Sequence, residues 1–280
     1  METKNKSLLI IPVTCHMCGA EHIPHLSLQR RTMEAQNNIF GVPQYIKALP
    51  GKDFCDYNLI RVTICPKCFF SSAYIDDFIS ESNLKKEHPE PFDKAPILRH
   101  WLEGAAKRRE KMESFLENLN GEERSAKQAL ASYTLAICSC NEVGKLQEAR
   151  NEKSRDYSGM LRSVNYMLTK AELLMAHKKS QDAKKYAKAA LEKLKEIFPY
   201  LKRESSIKAG YLIGMLGLYF DSTKTVGQSL NFLREYEKNN KVRAGTDEHK
   251  ALVSSLKKMT EAYQHREEYS QSQLNGFNIR

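Results

Sequence analysis

Two hydrophobic rhythms divide the chain. Over roughly the first 80 residues the apolar positions come in short runs. Leu8-Leu9-Ile10-Ile11-Pro12-Val13-Thr14 and Asn58-Leu59-Ile60-Arg61-Val62-Thr63-Ile64 read as β-type segments, and a third is expected near Leu26–Arg31. Between them lie a polar stretch and the turn-rich Pro50-Gly51-Lys52-Asp53. This pattern predicts a small, loop-rich β module over residues 1–81. Residues 82–96, with His88-Pro89-Glu90-Pro91 as breakers, read as a connector.

Beyond the connector the apolar spacing changes to three and four, the period of amphipathic helices. Helices are predicted near 95–119, 122–143, 156–178, 180–199, 204–220, 223–239 and 247–268. Asn120-Gly121, Pro199, Asp221-Ser222 and Gly245 fall at the breaks, and Ser180 and Thr246 stand where N-caps belong. The fold class expected is therefore α+β: a β-rich module, then an all-α domain over 97–280.

Helical hairpins of this length raise the question of repeats. A tetratricopeptide-like pattern requires small residues where paired helices touch. Ala171, Ala183 and Ala190 have its spacing, with Leu174 and Tyr186-Ala187 near the bulky positions. A fainter second unit runs through Gly214, Val226, Leu230 and Leu233. A nonrepeating helical bundle remains the alternative.

Composition adds two constraints. The 280 residues are 41% hydrophobic and 28% charged, so the chain can bury a substantial core. No segment reaches the roughly 20 apolar residues of a membrane span, and no small-residue cleavage pattern follows the apolar run after Lys4 and Lys6. A cytoplasmic location without membrane insertion is expected. The net charge is +10, yet residues 1–100 hold 12 Lys/Arg against 11 Asp/Glu. The excess thus sits on the helical part, interleaved with acids, and reads first as solvated helix faces.

The seven cysteines change the picture most. Five fall in the first 68 residues, in Cys15-His16-Met17-Cys18-Gly19, Cys55 and Cys65-Pro66-Lys67-Cys68. Two CxxC turns at the ends of β-type runs are the spacing of a zinc-ribbon knuckle pair. In such turns two sulfurs converge while backbone amides after the first cysteine donate to them. Cys15, Cys18, Cys65 and Cys68 are the expected ligands of a structural Zn2+, although iron would accept the same donors. Four thiolates leave no open position for catalysis. Cys55 is a candidate substitute ligand or a packed small hydrophobe. His16, His22 and His25 read as surface or supporting residues, and Cys138 and Cys140 as core residues of a helix.

The order CxxCG, then Asp53-Phe54-Cys55 with Tyr57, then Cys65-Pro66-Lys67-Cys68 followed by Phe69-Phe70-Ser71-Ser72-Ala73 and Asp76-Asp77-Phe78 resembles a bacterial group. It is similar to the uncharacterised domain-of-unknown-function 2225 family. That resemblance implies an N-terminal zinc-binding region and tetratricopeptide-like helices, but no established activity. The chain departs from the family pattern at Phe69, where glycine is usual, and at Asp56, where proline is usual.

No P-loop, GxGxxG, GxSxG or HExxH motif occurs in the sequence. The expectation is a non-enzymatic scaffold or adaptor with a protein partner. The alternative is a nucleic-acid-binding or regulatory zinc-ribbon protein that uses the basic helical surface.

Overall fold

The computed structural model describes residues 5–80, 94–150, 158–240 and 242–266. Most of the expected connector lies outside them. Packing divides the chain into two compact units, Met1–Gln36 with Pro43–Arg150, and Asn37–Val42 with Asn151–Arg280.

The first unit opens with strands β1 (Leu8–Val13) and β2 (Ile23–Leu28), antiparallel with Leu8 opposite Leu28 and Val13 opposite Ile23. The second strand thus begins three residues before the segment expected from its apolar content. The stretch read as merely polar contains a hairpin, β3 (Met33–Asn37) and β4 (Pro43–Ala48), carrying a Lys47–Glu34 ion pair at 3.0 Å. Its few apolar residues, Met33, Tyr45 and Ile46 among them, are scattered without strict alternation and none is fully buried, which conceals it from a hydrophobic reading.

The run 58–64 is not a strand over its length. A short helix α1 (Tyr57–Ile60) precedes a two-residue strand β5 (Thr63–Ile64), which pairs with β6 (Ser71–Ser72). Asp56 explains the change: its side chain accepts from the Asn58 amide at 3.1 Å and caps the helix.

The expected helix at 95–119 is broken into α2 (Lys94–Glu103), α3 (Ala105–Met112) and a 3-10 turn at Glu113–Asn118. Gly104 stands at the first break. A Cβ there would lie 2.6 Å from Arg108 Nη1, so the missing side chain lets Arg108 fold back onto the Trp101 carbonyl.

Helix α4 (Ala126–Arg150) belongs with the strands, although composition groups it with the later helices. The reason lies in backbone groups that the short β elements leave unpaired. The Asn120 side chain accepts from the Ile64 amide and donates to its carbonyl, each at 2.8 Å, in place of a neighbouring strand. Buried Arg124 donates to the Val62 carbonyl at 2.7 Å. On α4, fully buried Tyr133 donates to the Asn58 carbonyl at 2.8 Å, and Ser139 Oγ accepts from the Ser71 amide at 3.0 Å.

The second unit contains α5 (Ser158–Ala176), α6 (Ser180–Ile197), α7 (Glu204–Tyr219), α8 (Thr223–Asn239) and α9 (Asp247–Gln264). Short connections make α5/α6 and α7/α8 hairpins, with α6 against α7 and α9 against α7 and α8. Small residues set the approach: Ala171, Ala183, Ala187 and Ala190 are fully buried. At Gly214 a Cβ would meet Met259 Sδ at 2.1 Å and Ser229 Cβ at 3.1 Å. Thr246 caps α9 through the His249 amide at 3.2 Å, whereas α6 starts on Ser180 itself with no side-chain cap. No helix among the described residues is long and apolar enough to cross a membrane.

Candidate metal centre

Each CxxC turn sits at the tip of a strand pair, one between β1 and β2 and one between β5 and β6. The two turns have the same backbone design. In the first, the Cys15 amide donates to the Ala20 carbonyl at 2.8 Å and the Gly19 amide to the Cys15 carbonyl at 2.8 Å. In the second, the Cys65 amide donates to Phe70 at 2.8 Å and the Phe69 amide to Cys65 at 2.9 Å. The residue after the second cysteine is left-handed in both, with φ +69° at Gly19 and +62° at Phe69. Phe69 thus takes the same backbone conformation as Gly19. It holds a conformation unfavourable for a side-chain-bearing residue by about 1–2 kcal/mol. The compensation is burial, since the Phe69 ring is 1% exposed.

The turns face each other and bring four sulfurs together. Cys15 Sγ lies 3.7 Å from Cys68 Sγ, Cys18 Sγ lies 3.5 Å from Cys65 Sγ, and all four fall within 4.8 Å of one another. A tetrahedral ion with metal–sulfur bonds near 2.3 Å requires sulfur–sulfur edges of about 3.8 Å. The donor set fits that geometry. The cluster of Cys15, Cys18, Cys65 and Cys68 can hold a metal ion.

The Cys15 thiol is pushed up by its hydrogen bonds with Cys65 and Cys68 and by burial. Four thiols packed this closely oppose one another's ionisation, and so keep their protons unless a cation sits among them. A divalent cation would replace those protons, which couples metal binding to proton release.

The surroundings are dry. Val13, Met17, Ile23, Phe70, Phe78 and Trp101 form one buried cluster with Cys15, Cys65 and Cys68. The Thr14–Ile79 bridge, with bonds of 2.8 and 2.9 Å, draws Phe78 into this cluster. Trp101 Nε1 donates to the Cys68 carbonyl at 2.9 Å, and Arg108 donates to the same oxygen from Nε at 3.3 Å and Nη2 at 3.2 Å. The guanidinium also lies 3.8 Å from the Trp101 ring centroid. These two residues were not legible as part of the centre, because they stand 33 and 40 positions beyond Cys68. The one available signal was that Trp101 is the sole tryptophan of the chain.

The other candidates lie apart from the cluster. Cys55 packs against Leu8, Leu26 and Ile60, and burial raises its thiol to about 11. His16 stacks edge-on against Phe70 at 4.8 Å. His22 is exposed. His25 is buried on β2, its Nδ1 2.8 Å from Thr63 Oγ1, and burial lowers it to about 4. Cys138 is exposed and Cys140 half-buried, which corrects their reading as core residues. The face of α4 carrying Ala129, Ser132, Tyr133, Ala136 and Ser139 is the buried one, and Cys138 shares the opposite stripe with exposed Thr134.

No family model, no curated protein and no solved structure matches the chain.

Proposed function

We propose that this chain is a non-enzymatic interaction protein whose first unit is held together by one structural Zn2+. The observation that carries the metal reading is the convergence of four cysteine sulfurs, from two matched CxxC turns, within 4.8 Å. Zinc is preferred because it imposes no geometry beyond the tetrahedron and suits a closed four-thiolate site. Cys15, Cys18, Cys65 and Cys68 would hold it, and it would act as a fold staple. The hairpin pair with knuckles at its tips is then a zinc ribbon. The ordering of α5/α6 and α7/α8 around small buried residues supports a tetratricopeptide-like stack, whose exposed face would receive a protein partner. Membership of the domain-of-unknown-function 2225 family is part of the same proposal, resting on the motif order alone.

Elemental analysis of the purified full chain tests the metal. Zinc at about one equivalent, with cobalt substitution giving tetrahedral thiolate absorption, is the expected result. Iron in its place would overturn the choice of ion, and no metal under reducing purification would overturn the staple.

A further inference from the structure

The β3–β4 arm has a wet stem and a dry tip. Glu34–Asn37 are exposed, whereas Asn38, Phe40 and Val42 are 7%, 2% and 3% exposed. The tip shapes itself. Asn38 Oδ1 accepts from the amides of Phe40 at 3.0 Å and Val42 at 2.9 Å. The Asn38 amide reaches the Val42 carbonyl and the Gly41 amide the Asn38 carbonyl, both at 2.9 Å, and Gly41 takes φ +75°. A turn closed by its own hydrogen bonds is preorganised, so seating it requires little ordering.

The tip belongs to the helical unit, where two helices read it. From α5, buried Glu172 accepts from Asn38 Nδ2 at 3.1 Å. From α7, the Tyr211 hydroxyl donates to the Ile39 carbonyl at 3.0 Å, and Tyr219 stands edge-on to the Phe40 ring at 5.8 Å. These partners lie 134 and 172 residues away in sequence. The six residues therefore sit on the helices much as a bound peptide would. Each contact selects a feature: a side-chain donor for a buried carboxylate, a carbonyl for a hydroxyl, an aromatic ring for an aromatic wall.

We propose that this surface of α5 and α7 is a peptide-recognition site, occupied in cis by residues 37–42. The partner it fits is a protein presenting the same chemistry: a tight turn with Asn, an aromatic residue two positions later, then Gly. The inference rests on the reading of α5–α9 as an interaction surface and is independent of the metal. A segment tethered in cis has an effective concentration on the order of millimolar. A trans peptide that would bind the open surface at about 10 µM is therefore weakened roughly 100-fold while the tip is seated.

The probe is a fluorescein-labelled peptide covering residues 35–44, with a scrambled control, titrated into full-length protein and read by anisotropy. Three proteins are compared: wild type, a chain with 37–42 replaced by six Gly/Ser residues, and Phe40→Ala. The expected result is saturable binding to the linker chain at least tenfold tighter than to wild type, with Phe40→Ala between them. Adding Glu172→Ala or Tyr211→Phe to the linker chain should weaken it five- to tenfold. Absence of binding to the linker chain with unchanged helical circular dichroism overturns the proposal, as does equal binding of the scrambled peptide. Should the linker chain fail to fold, Phe40→Ala decides by the same criteria. Zinc measured on the same samples separates the two readings. Full zinc without peptide binding refutes this site alone, and binding without zinc refutes the staple alone.

Discussion

At the residue scale, the four cysteines that could hold a metal ion are the first to test. Cys65 is fully buried, with its sulfur 3.5 Å from that of Cys18 across the two turns. Cys65→Ser should reduce bound zinc from about one equivalent to a small fraction. Retention of full zinc in that variant, by elemental analysis, would remove Cys65 from the ligand set. Phe69 is subtler. Glycine there would relieve about 1–2 kcal/mol of backbone strain but forfeit a buried ring, a truncation that typically costs about 3–5 kcal/mol. Phe69→Gly is thus expected to lower stability by about 2 kcal/mol in urea unfolding. A stabilised variant would show that strain, not packing, dominates the turn.

His25 sets a pH limit at the same scale. Burial holds it near 4, against about 6.5 unfolded. The unfolded chain therefore binds the extra proton first, so stability falls as pH drops from about 6.5 towards 4. By pH 5 the loss attributable to this ring is about 2 kcal/mol. Urea midpoints at pH 7 and 5 should fall further for wild type than for His25→Gln, and parallel falls would remove the ring from the account.

At the level of elements, the later helices and the strands β1 and β2 were legible, whereas the β3–β4 arm and the split of 58–64 into α1 and β5 were not. The helices α5 to α9 follow the apolar period with boundaries shifted by only a few residues. In α6 and α8 the buried residues fall on one stripe, which is what periodicity measures, while α7 is buried over most of its surface. In the module, hydrogen-bond partners override pattern. Asp56 turns an apolar run into a helix, and Asn120, Arg124 and Ser139 complete strand edges from a distance. The cysteine spacing pointed to the four thiols that converge because each CxxC turn is local, while Trp101 and Arg108 reach them only through the fold. Trp101 now becomes a reporter. Cobalt in place of zinc should strongly quench the emission of this one tryptophan, and undiminished emission would place the metal elsewhere. Within the helical stack, Gly214→Ala should destabilise by about 1–3 kcal/mol through overpacking against Met259 and Ser229. The gain of about 1 kcal/mol in helix propensity offsets only part of that. Thermal unfolding would show the sign.

For the whole molecule, the packing units make poor matches to the segments suggested by composition. A cut near residue 95 separates α4 from α1 and β6, which depend on Tyr133 and Ser139 for backbone partners. A cut at 150 keeps the first unit's helices but removes residues 37–42 from the second. Chelation of the metal should accordingly melt the strands with α1 to α4 before α5 to α9, giving two transitions by circular dichroism. A single unchanged transition would show that no ion supports the module.

The placement of the arm's tip has a consequence for synthesis. Ile39 leaves the ribosome 172 residues before Tyr211, its hydroxyl partner. At about 5–20 residues per second that interval is roughly 10–30 s. For that time Phe40 and Val42, dry in the finished protein, have no helices to cover them. The first unit can pack on its own residues, but residues 37–42 belong to the second and stay uncovered until α5 and α7 have been made. Such an early, exposed apolar tip is where a nascent-chain chaperone would bind, and where slow translation of the helices would invite aggregation.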